Sequence, residues 1–168
     1  MIKIEREQIW VPSRADLLRE TAFIGTQLQE IGLEKLATTI ETAVKFRNNA
    51  YAPYSGYAVG AGLLTIDGKL SGGCNGEGVN YSITNHAEGV AIGKAISDGA
   101  AKENRKFIKA LAISHDSDSG PCGECLQRLV EHADNCLIIV TDPNGKVRRI
   151  TSLLAILPYN FNPSHLGK

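Results

Sequence analysis

The sequence predicts an α/β fold of three layers, α/β/α, with a mixed sheet of about five strands between helices. Three observations carry this. The order of elements reads helix, hairpin, helix, strand, helix, strand, strand, and such alternation puts helices on both faces of a sheet. Hydrophobic residues make up 43% and charged residues 21% of 168 residues, which suits one globular domain with a substantial core. No repeat or low-complexity linker divides the chain, so residues 1–168 are expected to form a single domain, with 1–35 as a helical N-terminal extension.

Residues 13–50 read as helical. Ser13 with Asp16 three positions on is an N-terminal capping signal, and Leu17, Leu18, Ala22, Phe23 and Leu28 supply an apolar face. Gly32 marks a break, after which Leu36, Ile40, Ala43, Val44 and Phe46 give a second helix its buried side. The Pro53 and Gly56 loop leads into a strand over 57–66. Asp67-Gly68 is a turn signal, and a return strand over 69–74 completes a hairpin. The glycine-rich run 72–78 contains no lysine and no phosphate-loop spacing, so it is not a phosphate cradle.

Asn85 or Thr84 is expected to cap a helix over 86–98, whose Gly89 and Gly93 suggest close packing against another backbone. A buried strand follows over 107–115. Pro121 fits the first turn of the next helix, which carries Cys122 and Cys125 on one face. Strands over 137–141 and 147–150, joined by the turn Asp142-Pro-Asn-Gly145, finish the sheet.

The chemistry gathers in two of these segments, Thr84-Asn-His-Ala-Glu88 and Pro121-Cys-Gly-Glu-Cys125. His86, Cys122 and Cys125 offer one imidazole and two thiolates, three ligands that leave the fourth tetrahedral position of a zinc ion open for water. Glu88 is then placed to move that water's proton. A C-x-x-C alone also fits a redox pair or half of a structural zinc site, but neither has a use for Glu88. The H-x-E…P-C-x-x-C arrangement is the signature of zinc deaminases of nucleobases. Cys74 and Cys136 read as small core residues, and His115, His132 and His165 as structural or surface histidines without a role.

Composition limits the partners. Eighteen basic residues balance eighteen acidic ones, so the chain lacks the basic excess of a nucleic-acid binder, and RNA or DNA editing is disfavoured. The charged start Met1-Ile-Lys-Ile-Glu-Arg-Glu is no secretory signal, and no stretch is long enough for a membrane span. A cytoplasmic location is expected, where thiolates stay reduced.

From about Val44 onward the chain resembles the small, single-domain, homotetrameric cytidine deaminases. The resemblance rests on Ala50-Tyr-Ala-Pro-Tyr-Ser-Gly-Tyr-Ala-Val-Gly-Ala61, Gly73-Cys-Asn-Gly-Glu77 with Tyr81, the two segments above, and Leu157-Pro-Tyr-Asn-Phe161. It implies one Zn2+ per chain and hydrolytic deamination of cytidine or 2′-deoxycytidine to uridine or 2′-deoxyuridine with release of ammonia, a reaction of pyrimidine salvage. By the same resemblance, Asn75 and Glu77 would bind the ribose 3′-hydroxyl and Tyr57 would lie against the pyrimidine. The Ala87 backbone would hold the ring carbonyl, Glu88 would shuttle the proton, and Phe161 would reach a neighbouring subunit's site in a homotetramer. A deaminase of a modified cytosine nucleoside such as blasticidin S, or of another aminated heterocycle, is the alternative. An inactive zinc-containing binding protein is a third reading, against which Glu88 argues.

The chain departs from the family pattern in five places. Relatives with three cysteine ligands carry arginines where this chain has Gly89 and Leu126, and here the first ligand position is His86. The family usually has asparagine where this chain has Gly78, and the N-terminal extension is additional. Zinc with two thiolates and a neutral imidazole sums to zero charge, whereas three thiolates leave minus one, which explains the missing arginines. His86→Cys alone is therefore expected to impair turnover and added Gly89→Arg to restore part of it; steady-state assay of the three proteins checks this, and a single variant as fast as the parent contradicts it.

Overall fold

The computed structural model describes residues 13–102 and 104–167; the charged N-terminal start lies outside them. Two helices come first, α1 (Arg14–Ile31) and α2 (Leu33–Arg47), then the strands β1 (Gly60–Thr65) and β2 (Leu70–Cys74). Helix α3 (Ala87–Ser97), strand β3 (Ile108–Ser114), helix α4 (Gly123–His132), strands β4 (Leu137–Thr141) and β5 (Val147–Ser152) and the short helix α5 (Leu153–Ile156) complete the order. The sheet runs β2-β1-β3-β4-β5, with β3 and β4 parallel and the other neighbours antiparallel. This is the expected mixed five-stranded sheet between helices.

Side-chain alternation sorts the core into two halves. On β1, β3 and β4, Ala61, Leu63, Leu111, Ile113, Ile138 and Val140 face α3 and α4. Their neighbours Leu64, Ala110, Ala112, Leu137 and Ile139 face the other way and join Leu36 and Ala43 of α2. A period of two in strands buried on both faces produces this division, and it leaves no polar stripe in the strand sequences.

The Ser13 capping box forms, with Asp16 returning to the Ser13 amide at 2.8 Å. Helix α1 then lies along β5 and α2, where the Glu20 carboxylate accepts from the Ser152 amide at 2.8 Å and the Ser152 hydroxyl at 2.6 Å. Lys109 of β3 pairs with Glu30 at 2.5 Å. No helix among the described residues is long and apolar enough to cross a membrane.

Backbones meet closely at the strand glycines. A Cβ on Gly60 would run into the Ala43 carbonyl and the Arg47 backbone, and one on Gly62 into the Thr39 carbonyl. A Cβ on Gly73 would stand 2.7 Å from the Ala91 nitrogen and 2.8 Å from the Ala87 carbonyl oxygen. The sheet thus supplies the glycines for close contact with α2 and α3. The expectation for Gly89 and Gly93 is corrected accordingly: a Cβ on Gly93 meets nothing within 4 Å, and one on Gly89 meets only the Arg128 side chain at 3.5 Å.

Two other local readings change. Helix α3 is capped neither by Asn85 nor by Thr84, since His86 is itself the N-cap residue, and Pro121 precedes the α4 N-cap Cys122 instead of lying in the first turn. Cys136 is buried, but Cys74 is only partly so, its Sγ 3.4 Å from the Asn49 carbonyl. Because neither the Ala43 carbonyl nor the helix behind it can retreat without opening the core, Gly60→Ala is expected to lower the unfolding free energy by about 3 kcal/mol. Urea denaturation checks this, with Gly93→Ala, an interior helix position with open space, expected to gain up to about 1 kcal/mol instead.

Candidate active site

Helices α3 and α4 begin beside the carboxyl ends of the parallel strands β3 and β4, the place where open α/β sheets leave a crevice. Their N-cap residues are His86 and Cys122, both in extended conformation and neither making a side-chain cap. The side chains that would ordinarily cap instead turn toward each other. His86 Nδ1 lies 3.3 Å from Cys122 Sγ and 3.3 Å from Cys125 Sγ, and all three ligand atoms fall within 4.8 Å of one another.

This donor set fits a zinc ion. Bonds of about 2.3 Å to sulfur and about 2.0 Å to nitrogen at a tetrahedral angle separate the two ligand atoms by about 3.5 Å. Cys125 is buried, and burial raises its thiol well above the ordinary range, with the Glu88 charge and Cys122 adding to the effect. A buried thiolate next to a carboxylate needs a cation, and the amide ends of α3 and α4 supply only part of that charge.

A cavity of about 320 Å³ opens in front of the cluster, within the range of small-ligand sites. His86, Cys122, Ala87 and Glu88 line it, with Glu88 only 6% exposed. Tyr57, Asn75 and Glu77 line it too. The sequence-predicted residues are thus brought into one space, apart from Cys125, which lies behind the lining, and Phe161. The Phe161 ring is exposed, stacks on His165 at 5.6 Å, and its carbonyl accepts from Gln127 at 2.6 Å.

Asn75 and Glu77 also hold the segment before β1 in place. Asn75 Oδ1 accepts from the Val59 amide at 2.8 Å and its Nδ2 donates to the Tyr57 carbonyl at 2.9 Å. Glu77 accepts from the Tyr54 and Ser55 amides at 2.9 and 3.1 Å and from the Ser55 hydroxyl. These contacts explain why Tyr57, Ala58 and Val59 leave the ladder that the sequence assigned to them. Each side chain keeps spare capacity, an N–H and a lone pair on Asn75 and a lone pair on Glu77.

Sequence reading gave no role to His115, which is 2% exposed and lines the same cavity with Ser119 and Thr84. Its position at the carboxyl end of a central strand was the available signal. Gly78 does not line the cavity. Its amide donates to Thr84 Oγ1 at 3.3 Å, and a Cβ there would strike the Ile83 side chain. At Gly89, Arg128 already occupies the neighbouring space while pairing with Glu124 at 2.8 Å, so an arginine introduced at 89 grows toward another cation.

A family model described as the cytidine and deoxycytidylate deaminase zinc-binding region matches residues 33–141, a span that holds the whole His86, Cys122 and Cys125 cluster. The chain belongs to this family. Its members bind zinc, and the cluster can hold one ion. The chain is 39% identical over 138 residues to a cytidine deaminase of Sporosarcina psychrophila, covering 80% of this chain and 95% of that one. A cytidine deaminase of Halalkalibacterium halodurans is 40% identical over 131 residues, covering 76% and 95%. The crystal structure of a cytidine deaminase from Burkholderia pseudomallei superposes with a TM-score of 0.67 at 36% identity, covering 74% of this chain and 97% of that one. A blasticidin-S deaminase of Bacillus cereus is more distant, 28% identical over 112 residues and covering 61% and 76%. Helix α1 lies outside the family match.

Glu77 gives the pocket a pH signature. The Ser55 hydroxyl first, then the Tyr54 and Ser55 amides, hold its carboxyl below the ordinary value of 4.5. A depressed folded-state pKa adds stability above the ordinary value and loses it as pH falls through the folded one. Glu77→Gln is therefore expected to flatten the decline of the thermal midpoint as pH falls below the ordinary carboxylate value of 4.5, with the largest loss at neutral pH. Calorimetry across that range tests it; parallel curves for the two proteins contradict it.

Proposed function

We propose that this chain deaminates cytidine and 2′-deoxycytidine by hydrolysis, giving uridine or 2′-deoxyuridine and ammonia. The observation that carries the reading is one cavity lined together by Glu88, by His86 and Cys122 of the metal-ligand cluster, and by Asn75 and Glu77. Among the described residues no lysine or arginine lines it, while two carboxylates, Glu77 and Glu88, do. A 5′-phosphate would meet negative charge without a counter-ion, so the free nucleoside is favoured over the nucleotide.

His86, Cys122 and Cys125 would hold zinc, which when bound supplies a Lewis acid that brings the pKa of water toward neutrality. Glu88 accepts the proton of the attacking water and delivers it to ring N3, which makes C4 a better electrophile. It then carries a proton to the amino group, and ammonia leaves as the C4 carbonyl forms. Burial of Glu88 keeps this proton within the site. The Ala87 backbone at the α3 N-terminus orients the ring carbonyl, and Tyr57 flanks the base. The spare lone pair of Glu77 accepts from the ribose 3′-hydroxyl, and the spare N–H of Asn75 donates to it.

We further propose a cytoplasmic homotetramer serving pyrimidine salvage, in which Phe161 completes a neighbouring subunit's site. Phe161 is exposed and does not line its own cavity, and Tyr51, Tyr54, Val79, Tyr81 and Ile83 are exposed apolar side chains in nearby segments. Residues 1–35 extend this single domain, with Glu20 and Glu30 of α1 bonded to β5 and β3. The kinship with a blasticidin-S deaminase supports one alternative, a modified cytosine nucleoside as substrate.

Ultraviolet-monitored turnover of cytidine, 2′-deoxycytidine, cytosine and blasticidin S decides among these. Cytidine and deoxycytidine are expected to turn over, and Glu88→Ala to lower kcat by at least about a thousandfold while one zinc per chain remains bound. Turnover of blasticidin S alone would move the assignment to the modified nucleoside.

A further inference from the structure

His115 is a buried imidazole that the chemistry above does not use. Its Nδ1 lies 3.2 Å from the Ser117 amide nitrogen, which donates to it, and 3.0 Å from the Tyr57 hydroxyl oxygen. A nitrogen that accepts a backbone N–H carries no proton, so the Tyr57 hydroxyl is the donor in the second contact. Ser117 Oγ, 2.7 Å from the same phenolic oxygen, can then donate to it while accepting from the Ser119 amide at 3.3 Å. The Tyr57 and His115 rings stand 5.7 Å apart, tilted by 36°. Burial, acting against hydrogen bonding to the Ser119 backbone and the charge of Glu88, holds the imidazole below its ordinary range, in the neutral form that can accept.

The two partners are fixed to different degrees. The chain after His115 is clamped from outside: Arg47 pairs with Asp116 at 2.7 Å, and Arg148 reaches Asp118 at 3.0 Å and the Asp116 carbonyl at 2.9 Å. Tyr57 precedes β1, is held through its backbone carbonyl by Asn75, and is 38% exposed. Its ring is held by the hydroxyl contacts with His115 and Ser117 and by the ring contact with His115.

We infer that His115 is a positioning residue which, through the Tyr57 hydroxyl, holds the Tyr57 ring as the side wall against which the base is seated. It acts through the phenol and does not touch the reacting atoms, so its loss weakens substrate binding and spares the chemical step. The inference rests on the nucleoside-deaminase reading of this cavity.

Steady-state kinetics with cytidine, together with zinc content, tests it on the parent, Tyr57→Phe, His115→Leu, His115→Asn and the Tyr57→Phe/His115→Leu double variant. Each of Tyr57→Phe and His115→Leu is expected to raise KM about fivefold with kcat changed by less than about twofold, at unchanged zinc content. The double variant matches the worse single one, because both remove the same bond. His115→Asn, which returns an acceptor near the Nδ1 position, recovers most of the KM. Factors that multiply in the double variant, a fall in kcat without a change in KM, or an unchanged KM in Tyr57→Phe would overturn the inference. Should His115→Leu fail to fold, Tyr57→Phe and His115→Asn still decide it. A parent chain inactive on cytidine would strike at the functional reading instead; the same factors are then read from uridine dissociation constants by calorimetry.

Discussion

The structure depends on two helices starting at one point. His86 and Cys122 are the N-cap residues of α3 and α4, and their separation is set by where each helix rests on the sheet. Gly73 lets the first turns of α3 approach β2 so closely that no Cβ would fit, and Leu126, Leu129 and Val130 bury one face of α4 against the same core half. The rest of the cavity wall is then assembled around that convergence. A divalent cation at this point would remove the mutual repulsion of two thiolates and Glu88, so metal binding and the packing of the two helices are one problem with one solution.

Much of this was legible in the chain. The Asp67-Gly68 turn and the Ser13 capping box each state a local preference that tertiary packing did not override. The cluster was legible because a histidine and two cysteines at those spacings have few other uses, and the Glu88 position narrowed them further. What was hidden has a common cause. His115, the clamps made by Asn75 and Glu77, and the contact of Arg128 with Gly89 are all long-range pairings, and nothing in the local sequence names the partner. The N-caps were misread for a related reason. Thr84 and Asn85 have the better capping side chains, but the helix starts where the ligand has to be.

The extension illustrates how an addition can be accommodated without disturbing a site. Helix α1 attaches along β5 and α2, on the core half opposite α3 and α4, and its strongest polar contacts go to Ser152 and Lys109. Helix α1 contributes nothing to the cavity lining.

Asn75 and Glu77 carry a double duty with a consequence for how such a pocket can diversify. Asn75 commits one acceptor and one donor, and Glu77 three acceptor positions, to residues 54–59, which leaves each some spare capacity. Altering either would release residues 54–59 as well as change what the cavity offers a ligand. The freedom of the pocket to change therefore resides in lining residues that do not pin the segment before β1, of which Thr84, bonded to the Gly78 amide at 3.3 Å, is one.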